Sequence, residues 1–175
     1  MPSEKKRNSK REERFRPVQV VIETPRGCRN KYKLDPETGK FKLSKVMPEG
    51  MVFPYDFGFF PGTEGEDGDP LDVLVLHDEP TFPGCQIDCR LIGVLRAHQK
   101  DANGKESQND RVIAVAEASV LYASIEELED VEPKVVKQIE DFFVNYQKVR
   151  DVEITLMGSG GSAEAEEKLQ ESIGK

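Results

Sequence analysis

GEDGDPLDVLVL, residues 65–76, crowds Glu66, Asp67, Asp69 and Asp72 into a turn bearing Gly and Pro, at the lip of an unbroken hydrocarbon run. Strand alternation puts Asp72 on the side of Leu74 and Leu76, and Leu71, Val73 and Val75 on the other. With both faces apolar, the segment reads as a central strand covered on each side. Asp72 then stands at the mouth of the interior with Asp67 and Asp69 just above it. Clustered, unpaired carboxylates there are costly, through desolvation and through mutual repulsion. Something positive must face them: lysines, or hard divalent cations bound through oxygen. An acidic surface turn explains Asp67 and Asp69 but leaves Asp72 at a core position, which favours magnesium-type binding. An EF-hand does not fit, because the sixth residue of that loop must be Gly and here it is Asp72.

Strand signals extend on both sides of this turn. PVQVVIETP comes first, then NKYKL and KFKLSKV around the turn DPETG, then MVFPYDFGFF. After the acidic turn follow CQIDCRLIGVLRA and DRVIAVAEA, separated by HQKDANGKESQN, which reads as a polar loop. Lys45 shares parity with Phe41 and Leu43, so it is expected to face inward and meet an anion. Lys33, Lys40 and Lys42 read as the defence of an edge strand. Helices arrive late. PKVVKQIEDFFVNYQKV carries Val135, Val136, Ile139, Phe142, Phe143 and Tyr146 at helical spacing, with Pro133 at a natural helix start. GSGGS, 158–162, reads as flexible, and Ser162 as the cap of a short acidic helix. Many strands followed by packed helices predict a mainly β architecture, a closed or partly closed barrel with flanking helices.

A chain of 175 residues with 37% hydrophobic and 33% charged residues reads as a globular body with no apolar run approaching a transmembrane span. The N-terminus lacks the apolar stretch of a secretory signal, which makes a cytoplasmic protein the expectation. Cys28, Cys85 and Cys89 are too few and too scattered for a disulfide framework or a zinc site. Residues 1–16 hold seven Lys/Arg against three Glu, so the net charge of −8 leaves −12 on the remainder. The division is therefore a basic, disordered arm over 1–16 and a barrel domain with C-terminal helices over 17–175. A body this acidic repels a phosphate backbone and has no basic stripe with interleaved aromatics, which argues against nucleic acid as a partner.

DGDPLDVLVL resembles the D-x-D-P-x-D signature of the soluble family I inorganic pyrophosphatases. VVIETP, NKYKLDPETG, FGFFPGT, GVL, RVIAV and DFFVNYQ resemble further segments of that family, over roughly residues 17–173. The resemblance implies an OB-like five-stranded β-barrel and Mg²⁺-dependent hydrolysis of pyrophosphate to two phosphates. It also implies a homo-oligomer. Carried over by position, Asp67 and Asp72 hold metal, Asp69 takes the proton of the attacking water, and Glu23 supports outer metals. Lys31, Lys45 and Tyr146 hold phosphate oxygens, as does Arg111, which falls where the family has Lys. Lys45 stands where the family has Arg, and Lys33 where it has a carboxylate. Phe57 stands where a phosphate-binding Tyr is expected, with Tyr55 the candidate to supply that hydroxyl. Gln147 replaces a Lys. Two metal-binding Asp positions fall on Gln99 and Asn109, which makes the nearby Asp101 and Asp110 the candidate replacements. Two other readings are a pyrophosphatase-like protein redirected to another phosphoanhydride or to phosphate binding, and an OB-type nucleic-acid binder.

Overall fold

The computed structural model describes residues 16–174. Apart from Arg16, the basic arm read from the sequence lies outside them. Five strands close into a ring: β1 (Val18–Thr24), β4 (Asp56–Phe59), β5 (Asp72–Leu76), β8 (Arg111–Ala116) and β6 (Gln86–Lys100), with β6 pairing back onto β1. All pairs in the ring are antiparallel except β5 with β8. The ring is irregular, because register shifts interrupt the pairings of β1 with β4 and of β6 with β8. β6 also runs beyond it to pair with β7 (Glu106–Gln108) and β9 (Glu153–Gly161). β2 (Asn30–Asp35) and β3 (Lys40–Val46) form a separate hairpin. After a 3-10 turn at Leu128–Asp130 come α1 (Pro133–Val149) and α2 (Ser162–Ser172). Among the described residues no helix is long and apolar enough to cross a membrane.

β5 is central and covered on both faces, as its composition predicts. Val73 and Val75 join Val20, Ile22, Leu91, Val112 and Ala114 in one buried cluster that fills the ring. Leu74 and Leu76 join Ile92, Ile113 and Val115 in a second, which seats α1 on the outside through Ile139, Phe143 and Tyr146. Asp72 opens the strand on the face of Leu74 and Leu76, the side that seats α1, and not at the mouth of the ring interior as the sequence suggested.

Several expectations change. MVFPYDFGFF supplies only Asp56–Phe59 as strand, since Pro54 has no N–H for a ladder. HQKDANGKESQN is a hairpin of β6 and β7, not a loop; Asn103-Gly104, a strong hairpin turn signal, sits at its tip. GSGGS is not flexible but the paired end of β9, with Gly160 opposite Val94 and Gly161 opposite Gly93. A Cβ on Gly160 would lie 1.8 Å from the Glu164 carboxylate, so any larger residue there must displace that side chain from its pairing with Arg96. Ser162 does not cap α2 but begins it. The Glu127 side chain caps from a distance, accepting from Ser162 N at 2.8 Å and from Ser162 Oγ. On β3 the inward face is not core: Leu43 is 56% exposed, and an extra residue at Ser44 breaks the alternation ahead of Lys45.

Candidate active site

The acidic turn is built by its own backbone. Gly65 N donates to the Asp69 carbonyl at 2.7 Å, Asp69 N donates to Asp67 Oδ1 at 3.1 Å, and Gly68 takes φ of +81°, which glycine adopts without strain. This fold of the turn sends Asp67, Asp69 and Asp72 into one cavity of about 320 Å³. Glu23 enters it from the end of β1, Asp101 from the β6–β7 hairpin, and Lys31, Lys33 and Lys45 from the β2–β3 hairpin. Arg111 comes from the start of β8, and Tyr146 and Arg150 from the C-terminal end of α1.

The carboxylates carry the strain expected of crowded charge. Burial pushes the Asp72 carboxyl up, Asp67 and Asp69 add to this, and Arg111 and Lys31 oppose it. Arg111 Nη1 stands 3.5 Å from Asp72 Oδ2. Asp67 is raised by burial and then by Asp69, against the hydrogen bond from Asp69 N. Burial also raises Glu23, with Asp72 adding, although Leu34 N donates to its Oε1 at 3.0 Å. Asp69 is exposed, with Lys33 Nζ 3.3 Å from its Oδ1.

Several donors of the cavity lack partners. Among the described residues Lys31, Lys45 and Arg150 form no ion pair. Arg111 Nε, Arg150 Nε and Tyr146 Oη are buried without a hydrogen-bond partner. Three orphaned donors around one cavity need an acceptor that the protein does not supply. Every potential metal ligand lining the cavity is an oxygen or amide donor, with no His or Cys, the donor set of a hard cation such as Mg²⁺. Among the described residues no three Asp, Glu, His or Cys converge tightly enough to hold an ion unaided.

Not every residue singled out from the sequence is here. Asp110 does not reach the cavity: it is buried on the other side, accepting from Ala97 N at 3.0 Å and Gln108 Nε2 at 2.8 Å, and ion-paired with Lys168 Nζ at 2.9 Å. Its neighbours Asn109 and Arg111 line the cavity, so alternation turns Asp110 away. Asp101 does line it, while its Oδ1 accepts from Asn103 N and Lys105 N and braces the hairpin tip. Tyr55 does not supply the hydroxyl missing at Phe57. It precedes β4, so strand parity does not govern it, and its Oη lies 3.3 Å from Tyr122 Oη. Lys33 is no edge defender but a cavity residue. Gln147 is fully buried, outside the cavity lining. Arg150 was missed; its signal is the four-residue spacing from Tyr146, which shares a helix face with it.

Residues 20–175 match the family described as "Inorganic pyrophosphatase". The chain is 42% identical over 152 residues to an inorganic pyrophosphatase of Leifsonia xyli subsp. xyli, covering 86% of this chain and 90% of the relative. Two solved structures superpose closely. The inorganic pyrophosphatase of Helicobacter pylori gives a TM-score of 0.82 at 27% identity, over 90% of this chain and 91% of that one. The inorganic pyrophosphatase of Thermus thermophilus gives 0.80 at 33%, over 90% and 89%. With fold, acidic turn and sequence in agreement across nearly its whole length, the chain belongs to the inorganic pyrophosphatase family.

Proposed function

We propose that this chain hydrolyses pyrophosphate to two phosphates in the acidic cavity, with Mg²⁺ as cofactor. Family membership carries the reaction, a hydrolysis of a phosphoanhydride, and with it a requirement for a divalent metal. One observation carries the assignment to this cavity: raised carboxyls share it with unpartnered cations and a buried, unpartnered Tyr hydroxyl. Such a pocket fits a phosphate anion and a hard cation together, and neither alone balances it.

Asp67 and Asp72 would hold the cation, with Glu23 and Asp101 supporting further ions or their waters. A metal held by these residues would neutralise phosphate charge and lower the pKa of the attacking water. Asp69 is open enough to take the proton that this water loses, as general base. Lys31, Lys45, Arg111 and Tyr146 hold phosphate oxygens and stabilise the charge gathering on the departing phosphate. Arg111 Nη1 donates to the Asn109 carbonyl and faces Asp72 at 3.5 Å, while Nε is buried without a partner. A cytoplasmic location and a homo-oligomeric assembly accompany this reading on the strength of the family resemblance.

Phosphate release from pyrophosphate tests it. The unmodified chain with Mg²⁺ should turn over, and Asp69→Asn should lower kcat by about 10²–10⁴-fold with an unchanged melting curve. A folded chain that releases no phosphate at millimolar Mg²⁺ refutes the proposal. An Asp69→Asn variant as fast as its parent refutes the role of Asp69.

A further inference from the structure

We propose that Arg150, steered by Gln147, is a further substrate-binding residue that grips one phosphate of the diphosphate together with Lys31 and the Tyr146 hydroxyl. The inference rests on the reading of the cavity as a pyrophosphate site and names a residue that reading does not use.

Arg150 follows the last residue of α1, and its N–H closes the helix on the Gln147 carbonyl at 3.0 Å. A cation at a helix C-terminus is favourable in itself, through the helix dipole. That does not explain where the guanidinium goes. Cζ lies 5.6 Å from the centroid of the Tyr146 ring, and Lys31 Nζ lies 5.3 Å from the same centroid. Each contact is a cation–π attraction, yet together they bring two positive groups to one ring. Neither has a carboxylate partner among the described residues. An anion bound beside the ring would offset both charges, which no carboxylate among the described residues does at ion-pair distance.

The hydrogen-bond inventory points the same way. Arg150 Nε is buried with no acceptor, and so is the Tyr146 hydroxyl. A buried guanidinium N–H left without an acceptor is strongly disfavoured. Besides the ring contact, one side-chain hydrogen bond holds the group in place: Nη1 donates to Gln147 Oε1 at 3.2 Å. Gln147 is itself fully buried, and its Nε2 also lacks a partner. A neutral amide at this position therefore acts as a positioning residue, aiming the arginine one turn further on. The planar fork then offers its remaining N–H groups to phosphate oxygens.

The test compares steady-state hydrolysis at saturating Mg²⁺ with direct binding of methylenediphosphonate, a diphosphate that cannot be cleaved. Arg150→Gln should raise KM and weaken binding of the analogue by roughly ten- to a hundred-fold, with a smaller change in kcat. Arg150→Lys should fall between the two, keeping the charge without the fork. Gln147→Leu should weaken binding in the same direction but less, because Arg150 remains while its tether is lost. A KM and an analogue affinity for Arg150→Gln within twofold of the parent would overturn the inference and leave the pyrophosphatase reading standing. If Arg150→Gln fails to fold, an unweakened Arg150→Lys overturns it instead. A parent chain that neither binds the analogue nor releases phosphate overturns both.

Discussion

Three acidic side chains set the chemistry of the rim. Burial first, then neighbouring carboxylates, lift Glu23, Asp67 and Asp72 above the ordinary carboxylate range. A raised folded-state pKa means that the native protein holds protons the unfolded chain has released. Its stabilising contribution is complete below the unfolded pKa, about 4, and is lost as pH rises through the raised value. Asp56 is the contrast: burial would raise it too, but hydrogen bonds from His77, Thr81 and Arg26 N outweigh that and lower it. A divalent cation should do for the rim what those donors do for Asp56, and it binds only the ionised forms. Millimolar Mg²⁺ should therefore raise Tm by several degrees near pH 8 and by almost nothing near pH 4, as scanning calorimetry can measure. A gain independent of pH would place the ion elsewhere. Asp67, Asp69 and Asp72 were legible in the sequence because a carboxylate among core positions has no bland explanation. Asp110 misled, because a one-residue step along a strand start decides between cavity and far side. Arg150 stayed hidden because a cation ending a helix is ordinary.

At the scale of elements, period and composition carried most of the information. β5 reads as buried on both faces because no polar residue interrupts 73–76, and α1 because its apolar side chains recur every three or four positions. Glycines carried the rest, and their spacing does not announce it. GSGGS has the composition of a linker, yet Gly93, Gly160 and Gly161 are the surfaces on which β6, β9, Glu127 and Glu164 meet. Gly58 is the sharpest case. It pairs with Ile22 beside the bulge in β1, and an added Cβ would lie 2.0 Å from Val21 O and 2.9 Å from Ile22 Cα. Backbone cannot move aside there without opening the ring between β1 and β4. Gly58→Ala should cost about 3 kcal/mol in urea unfolding, at the upper end of overpacking penalties. A loss below about 0.5 kcal/mol, the scale of an ordinary surface substitution, would show that this seam of the ring is slack.

The whole molecule converts these local facts into a site. Pairing β1 with β4, and β4 with β5, brings Glu23 beside the acidic turn, although 43 positions separate Glu23 from Glu66 in the chain. The β2–β3 hairpin leans over the same opening with its lysines, and α1 brings Tyr146 and Arg150 to it, with Lys31 Nζ 5.3 Å from the centroid of the Tyr146 ring. That convergence of distant segments was foreseeable only through the family resemblance, since neither spacing nor periodicity fixes which strands meet. The central claim is that cation and diphosphate are bound together, each neutralising what the other leaves. Titration calorimetry of methylenediphosphonate into the purified chain, with and without Mg²⁺, tests it most directly. Tight binding with Mg²⁺ and at least tenfold weaker binding without it is the expected result, a tenfold step being about 1.4 kcal/mol. Equal affinity in both titrations, or no heat in either, would contradict it.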